Sequence, residues 1–524
     1  MAALRTSATT RACVGALVAC FLAAPAAATN CAALRGAVAS LPIMVQSAET
    51  IAASPARPWT SPTGLIGTAQ VTAAFCRVTA SVHPTPNSDI RFELWLPLRW
   101  NGRFFGTASG GSAGSISYIA MADPLARGYA TLGHDNGHVS GGFEQDWAFD
   151  AATGRVNSDK VVDFAWRAQH AATVVAKDLV RAFYARPPAR SYYVGCSQGG
   201  HHGLMEAQRF PDDYDAIVAG AHGGDWLGVL TAEAWAAHQV TRDQRAGGIP
   251  KALLPAVGRQ VLASCDAADG AADGSIENPL RCRPDFAALL CGPGQTGACL
   301  TGTQIAATEA IHAGPREAAG PIASSGYAPG SEINWSTTWN AETVAQSGSY
   351  FDFYRLVARQ QPDWDFQSFA WPGDVIAARA RWSGVYDARD ADLARFKARG
   401  GRLILYHGWS DGLVPAGQTL LYWDRLQQTM GAAGVAEFAR LFMVPGMGHC
   451  AGGPIGSADW LTAMENWVEK GQAPDPGSRN PIVGSGTLED GTRRRRTYCP
   501  WPQTAHYRGS GDFNAPESFT CAAS

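Results

Sequence analysis

The chain has 524 residues, a formal charge of −3 and 17% charged residues. That length admits more than one packed unit, and the near-neutral balance argues against nucleic acid or an anionic membrane surface as partner. Seventeen tryptophans and an aromatic fraction of 10% fit a large core or an aromatic-lined cleft and do not separate the two.

The first 28 residues have the build of an export signal. Arg5 and Arg11 precede the apolar stretch ACVGALVACFLAAPAAA, which ends on the small residues Ala26-Ala27-Ala28. A charged head, a short apolar middle and a small-residue cleavage site predict cleavage after Ala28 and a secreted or periplasmic product. The run is short for a membrane span, and no later segment reaches about 18 uninterrupted apolar residues, so the mature chain is expected to be soluble. Cys13 and Cys20 leave with the signal. Ten cysteines remain: Cys31, Cys76, Cys196, Cys265, Cys282, Cys291, Cys299, Cys450, Cys499 and Cys521. An even set in an exported protein reads as disulfides. The lack of a CxxC pair or a nearby histidine set argues against zinc.

IRFELWLPL, residues 90–98, alternates Phe92, Leu94 and Leu96 with Arg91, Glu93 and Trp95, and predicts a half-buried strand. After the Asn101-Gly102 turn, RFFGTASGGSAG reads as a second strand entering a glycine-rich loop. Residues 160–185 predict a long amphipathic helix with Ala168, Ala171, Val175, Leu179 and Phe183 inward, stopped by Pro187-Pro188. SYYVG is a strand, GGHHGLMEAQRF a helix with Leu204 and Ala207 inward, and YDAIVAG another buried strand. Strand, helix, strand, helix, strand implies a parallel sheet covered by helices. The pattern lapses from about 222 to 395, then resumes with GRLILYHG, a helix near 417–431, the strand and loop ARLFMVPGMGHC, and a helix near 457–470. The expected organisation is α/β: a sheet core over 29–221 and 396–475, an inserted domain over 222–395, and a tail over 476–524 packed on the core. The Arg493–Arg496 run reads as a solvated loop rather than a polyanion site.

Gly195-Cys196-Ser197-Gln198-Gly199 fits G-x-S-x-G between a strand and a helix, the sharp turn that raises a serine hydroxyl above a sheet edge. The helix N-terminus behind it points amide donors at a developing oxyanion. A serine so placed needs a base and an orienting acid, in the chain order Ser, Asp or Glu, His. Asp411 follows the strand LILYHG, and His449 sits in a later glycine-rich loop. Cys196 precedes the serine and Cys450 follows the histidine. Joining them, with Cα atoms within about 7 Å, would hold Ser197 beside His449. Pairing of each with other cysteines stays open at this point. Cys196 as a rival nucleophile is disfavoured, because the middle residue of the turn is the one presented outward.

These segments resemble the tannase and feruloyl esterase family of α/β-hydrolases, which also contains hydrolases of mono(2-hydroxyethyl) terephthalate. The likeness is carried by Cys196-Ser197, Asp411 and His449-Cys450, together with WNGRFFGTASGGSAG, GHDNGHVSG, VGCSQGGHHGLMEAQRFPDDYDAIVAGA, YHGWSDGLVP and VPGMGHC. The resemblance implies an α/β-hydrolase fold with a large lid. It implies a Ser197 nucleophile, a His449 acid–base and an Asp411 orienter. Oxyanion donors would be the amides of Gln198 and Gly110, with Gly111 as alternative, since Ala108-Ser109 departs from the commoner loop. It further implies the bridges Cys31–Cys76, Cys265–Cys282, Cys291–Cys299 and Cys499–Cys521. Sequence proximity independently supports the two lid pairs.

CDAADGAADGSIENP lacks EF-hand spacing, and composition alone leaves a solvated turn and a hard-cation site equally open. The resemblance makes it a calcium site with Asp266, Asp269 and Asp273 side chains and Ala271 and Ser275 carbonyls. No organic cofactor is implied. The lid is expected to cover Ser197 with an apolar acyl pocket; Phe351, Phe353, Tyr354, Trp364 and Phe366 are candidates, or plain core. Arg355 and Arg359 are candidates for a substrate carboxylate, or surface ion pairs. Asn334-Trp335-Ser336 matches a glycosylation sequon. The expected activity is a secreted serine carboxylesterase on hydroxycinnamate esters. Galloyl esters and terephthalate monoesters are the alternatives, and a non-catalytic binding protein on the same fold is the rival class.

Overall fold

Runs rich in Val, Ile, Leu, Phe and Tyr supply nine strands of one sheet. They are β1 (Ile43–Ile51), β2 (Phe75–Val82), β3 (Ile90–Pro97), β4 (Arg103–Gly106), β5 (Ala130–His134), β6 (Arg190–Cys196), β7 (Ala216–Gly220), β8 (Arg402–Gly408) and β9 (Ala439–Val444). The computed structural model describes residues 30–37, 42–55, 57–61, 68–295, 297–315, 324–346 and 351–523. The export signal expected over 1–28, with Cys13 and Cys20, lies outside them. The strand order is β1-β2-β3-β5-β4-β6-β7-β8-β9. β1, β2, β3 and β5 pair antiparallel, and from β5 onward every pairing is parallel. This is the α/β-hydrolase fold. β7 and β8 are hydrogen-bonded neighbours although the whole insertion separates them in the chain.

The longer helices are α1 (Tyr118–Ala126), α2 (Ala168–Tyr184), α3 (Gln198–Arg209), α4 (Trp226–Arg245), α5 (Leu254–Cys265), α6 (Gly302–Ala313), α7 (Gly373–Tyr386), α8 (Gly417–Met430) and α9 (Trp460–Lys470). α2, α3 and α8 cover one face of the sheet, where Val175, Leu179, Phe183, Leu204 and Leu426 pack on β-strand residues such as Leu94, Ile217 and Leu405. α9 covers the other through Trp460, Met464 and Trp467. Ala168, Val175, Leu179 and Phe183 of α2 are buried as the helical spacing predicts, and Ala171 is half-buried at the margin. The described residues between β7 and β8 contain no strand; α4–α7 and short 3₁₀ turns pack around Trp335, Trp339, Tyr354 and Tyr386 as a core of their own.

Two expectations fail here for one physical reason. β3 is not half-buried: Arg91 alone faces solvent, while Glu93 and Trp95 are buried. Glu93 is taken inside because it is satisfied there, accepting from Arg77 Nε at 2.9 Å, Tyr118 Oη at 2.7 Å and Trp95 Nε1 at 2.8 Å. Nor is Arg493–Arg496 a solvated loop. It is a strand, Arg493–Thr497, paired with Val483–Thr487, and it buries Arg494 and Arg496 while exposing Arg493 and Arg495. Arg496 Nη2 donates to Asp273 Oδ2 at 2.6 Å and Arg494 Nη1 to the Asp273 carbonyl at 2.7 Å. A period-two charge run was masked by its all-arginine composition, and its counter-charges lie on a loop remote in sequence.

Candidate active site

β6 runs into α3 through Ser197, whose backbone stands at φ 61°, ψ −124°. That is left-handed territory for a residue with a side chain, a strain of about 1–3 kcal/mol that surrounding structure must hold. The glycines permit the turn by close approach. A Cβ at Gly195 would come within 2.4 Å of the Gly199 carbonyl oxygen, and one at Gly200 within 2.4 Å of that of Gly220. The Ser197 amide donates to the Gly220 carbonyl at 2.9 Å, tying the turn to β7. Beneath α3, the helix leading into α2 carries a π-bulge over Asp163–Arg167. His202 Nε2 and Gln198 Nε2 meet the Phe164 carbonyl at 2.8 and 3.1 Å, and His201 Nε2 meets that of Ala165 at 3.0 Å. Carbonyls released by the irregular helix thus anchor the first turn of α3.

Asp411, past the end of β8, is buried, and its carboxylate is surrounded by donors. Oδ2 accepts from His449 Nδ1 at 2.7 Å and lies 3.2 Å from His407 Nε2, while Oδ1 accepts from the amides of Leu413 and Val414 at 2.8 and 2.9 Å. Burial alone would raise this carboxyl; the adjoining His449 charge and the hydrogen bonds of His407 and His449 outweigh it and hold it far below the usual carboxylate range. With Nε2 as the protonated nitrogen, His407 accepts at Nδ1 from the Thr419 hydroxyl at 2.7 Å, which fixes its ring. Cys196 and Cys450 form a disulfide with Cα atoms 5.8 Å apart, across a sequence separation of 254. Ser197 and His449 line one cavity. The structure therefore brings together Ser197, His449 and Asp411. The other bridges are Cys31–Cys76, Cys265–Cys282, Cys291–Cys299 and Cys499–Cys521.

The cavity holds about 510 Å³, within the range of small-ligand sites. One wall is the loop Thr107–Ser112, including Gly110 and Gly111; a Cβ on Gly199, in the first turn of α3, would lie 3.4 Å from the Ser109 carbonyl oxygen of this loop. This loop is clamped from behind: the Ser112 carbonyl accepts from His138 Nε2 and Ser140 Oγ, both at 2.9 Å, and Asn136 Nδ2 donates to the Ala113 carbonyl at 2.8 Å. The opposite wall is lid: Trp226, Val229, Leu230 and Glu233 of α4, with Phe353. Of the five aromatic candidates only Phe353 lines this cavity. Tyr354 is core, and Phe351, Trp364 and Phe366 border a separate recess. Arg355 pairs with Asp352, and Arg359 with Asp374, so neither arginine is turned to the cavity. The sequon residue Asn334 is half-buried and donates to the Ser410 carbonyl at 2.6 Å, bridging the lid to the Asp411 loop.

The acidic loop is closed by Cys265–Cys282. Asp266 accepts from the amides of Asp273, Gly274 and Ser275, and Asp269 Oδ1 from that of Ala271. Asp269 Oδ2 and Asp273 Oδ1 are buried without a hydrogen-bond partner.

Sequence reasoning missed the α4 wall, His407 and the Asn136–Ser140 clamp. The α4 spacing 226, 229, 230, 233 is one helical face and was open to inspection. His407, four residues before Asp411 in a strand-to-turn segment, carries no comparable signal.

The sheet order, the strained serine turn at the end of β6 and the aspartate and histidine beyond β8 and β9 define an α/β-hydrolase of the ester-cleaving kind. Residues 76–522 match the family model described as "Tannase and feruloyl esterase", and the chain belongs to that family of carboxylic ester hydrolases. It is 32% identical over 485 residues to a probable feruloyl esterase B-1 of Aspergillus flavus, covering 88% of this chain and 89% of that one. It is 34% identical over 503 residues to the mono(2-hydroxyethyl) terephthalate hydrolase of Piscinibacter sakaiensis, covering 83% and 82%. The crystal structure of feruloyl esterase B from Aspergillus oryzae superposes with a TM-score of 0.83 at 28% identity, over 93% of this chain and all of that one. Five disulfides fit an extracellular protein, and no helix among the described residues is long and apolar enough to cross a membrane.

Proposed function

We propose that the protein is a serine carboxylesterase of aromatic esters, hydroxycinnamate esters foremost, acting through an acyl-enzyme on Ser197. The observation that carries this reading is the hydrogen-bonded Asp411–His449 pair held beside Ser197 by the Cys196–Cys450 bridge at a largely apolar cavity. His449 takes the Ser197 hydroxyl proton as the oxygen attacks the ester carbonyl. The oxyanion is received by the amides of Gln198 and Gly110, with Gly111 as the alternative donor. Collapse expels the alcohol, which receives the proton from His449. Water, deprotonated by the same imidazole, then releases the acid and restores the serine. Relatives named for feruloyl esters support the acyl class, and the relative named for mono(2-hydroxyethyl) terephthalate keeps that ester as a second reading. The test is Ser197→Ala. Turnover of methyl ferulate should fall at least 10³-fold with an unchanged melting curve; retained turnover would overturn the assignment.

We further propose a structural calcium ion in the lid, held by Asp266, Asp269 and Asp273 carboxylates with the Ala271 and Ser275 carbonyls. The two partnerless buried oxygens, Asp269 Oδ2 and Asp273 Oδ1, fit a hard cation. The ion would balance the clustered carboxylates and stiffen the loop. Cleavage after Ala28 and delivery to the periplasm or medium complete the proposal.

A further inference from the structure

The catalytic cavity contains one carboxyl that the proposed reaction does not use. Trp226, Val229, Leu230 and Glu233 occupy one face of α4 and line the cavity. The indole of Trp226 lies 5.5 Å from the His201 ring at the base of α3, so this end of α4 adjoins the serine turn. Seven residues on, Glu233 stands about 10 Å further along the helix axis at 1.5 Å per residue. Glu233 is half-buried, and no hydrogen bond or ion pair to another described residue engages it. Its neighbours along the wall are apolar. A half-buried carboxyl on an otherwise apolar cavity wall is placed to meet a polar group of the substrate, whereas a wall meant only to hold a plain ring would be served by leucine.

We propose that Glu233 selects the acyl group by hydrogen bonding a phenolic hydroxyl on the substrate ring. This deepens the aromatic-ester reading and rests on it. Burial pushes the Glu233 carboxyl up to about 8. Near neutrality it therefore carries a proton, so it both donates and accepts, as a phenol does. The wall also argues against an acyl group bearing a carboxylate. Among the described residues lining the cavity there is no lysine or arginine, and Arg355 and Arg359 are committed to Asp352 and Asp374. A terephthalate monoester would bring an anion to a cavity whose described lining holds no lysine or arginine and already holds a carboxyl.

The test compares kcat/KM for methyl caffeate and methyl cinnamate, which differ only in ring hydroxyls, in the full mature chain. In the wild type the caffeate-to-cinnamate ratio should be tenfold or more; a ratio within threefold of unity overturns the inference. In Glu233→Leu the ratio should fall at least tenfold; a ratio unchanged within threefold overturns it. The substrate comparison needs no variant and stands should that variant not fold. Turnover of neither ester by the wild type overturns the hydroxycinnamate reading and the inference with it. Turnover of both with no preference overturns the inference alone.

Discussion

Asp411 shows how one buried charge is made useful. Desolvation opposes its ionisation, yet four donors converge on its two oxygens, two from rings and two from amides. Its folded pKa is therefore depressed, the His449 charge and ring hydrogen bonds prevailing over burial. A depressed carboxyl contributes stability that is complete above its unfolded value near about 4 and is lost as pH falls through the folded value. Asp411→Asn should lower kcat for methyl ferulate by about 10⁴-fold, because the imidazole loses its orienting anion. It should also flatten the acid limb of stability: the difference in urea midpoint between wild type and variant, measured from pH 5 down to pH 2, should shrink. A difference that widens on acidification would contradict the assigned direction.

At the scale of elements, catalysis needs two turns from distant parts of the chain to meet. Ser197 and Cys450 both stand at positive φ, 61° and 68°. Cys450 is bonded to Cys196, the residue before Ser197, and that bridge holds the two strained positions together. In the chain-entropy picture a closed loop of this length stabilises by up to about 5 kcal/mol. The double variant Cys196→Ala/Cys450→Ala should lose stability in urea by several kcal/mol and lose kcat more than it changes KM, since what slackens is the spacing of serine and imidazole rather than the acyl wall. Unchanged kcat in the double variant would show that the sheet positions the two turns unaided. The π-bulge contributes from below: its carbonyls engage Gln198, His201 and His202, so α3 cannot shift along its axis without breaking these bonds.

The molecule as a whole is a sheet core, a helical lid with its own aromatic centre, and a tail of two hairpins that seals one to the other. Arg496, only 2% exposed, reaches Asp273 and Glu277 of the lid and stacks on Phe519 of the tail. The lid loop is thereby fastened from the C-terminus as well as by its own disulfide. The proposed calcium ion sits in this fastening, and none of its five proposed ligand residues lines the catalytic cavity. Chelation should therefore lower Tm at concentrations that leave the initial rate unchanged, followed by differential scanning fluorimetry beside an esterase assay. A chelator-insensitive Tm would count against the ion.

Read in one dimension, the chain already declares its α/β-hydrolase class. The strands β3, β4, β6, β7, β8 and β9, the helices between them and the residues Ser197, Asp411 and His449 are legible because periodicity and turn chemistry are local: a few neighbouring residues carry them. Even the remote Cys196–Cys450 link is suggested by what sits beside each cysteine. What folding alone decided depends on which surfaces meet. Glu93 and Arg496 are inside because partners from other elements satisfy them, Asn334 bridges the lid to the Asp411 turn instead of facing solvent, and of five aromatic candidates packing leaves only Phe353 on the cavity. A side chain's own identity sets what burial would cost it; only the assembled neighbours determine whether that cost is met.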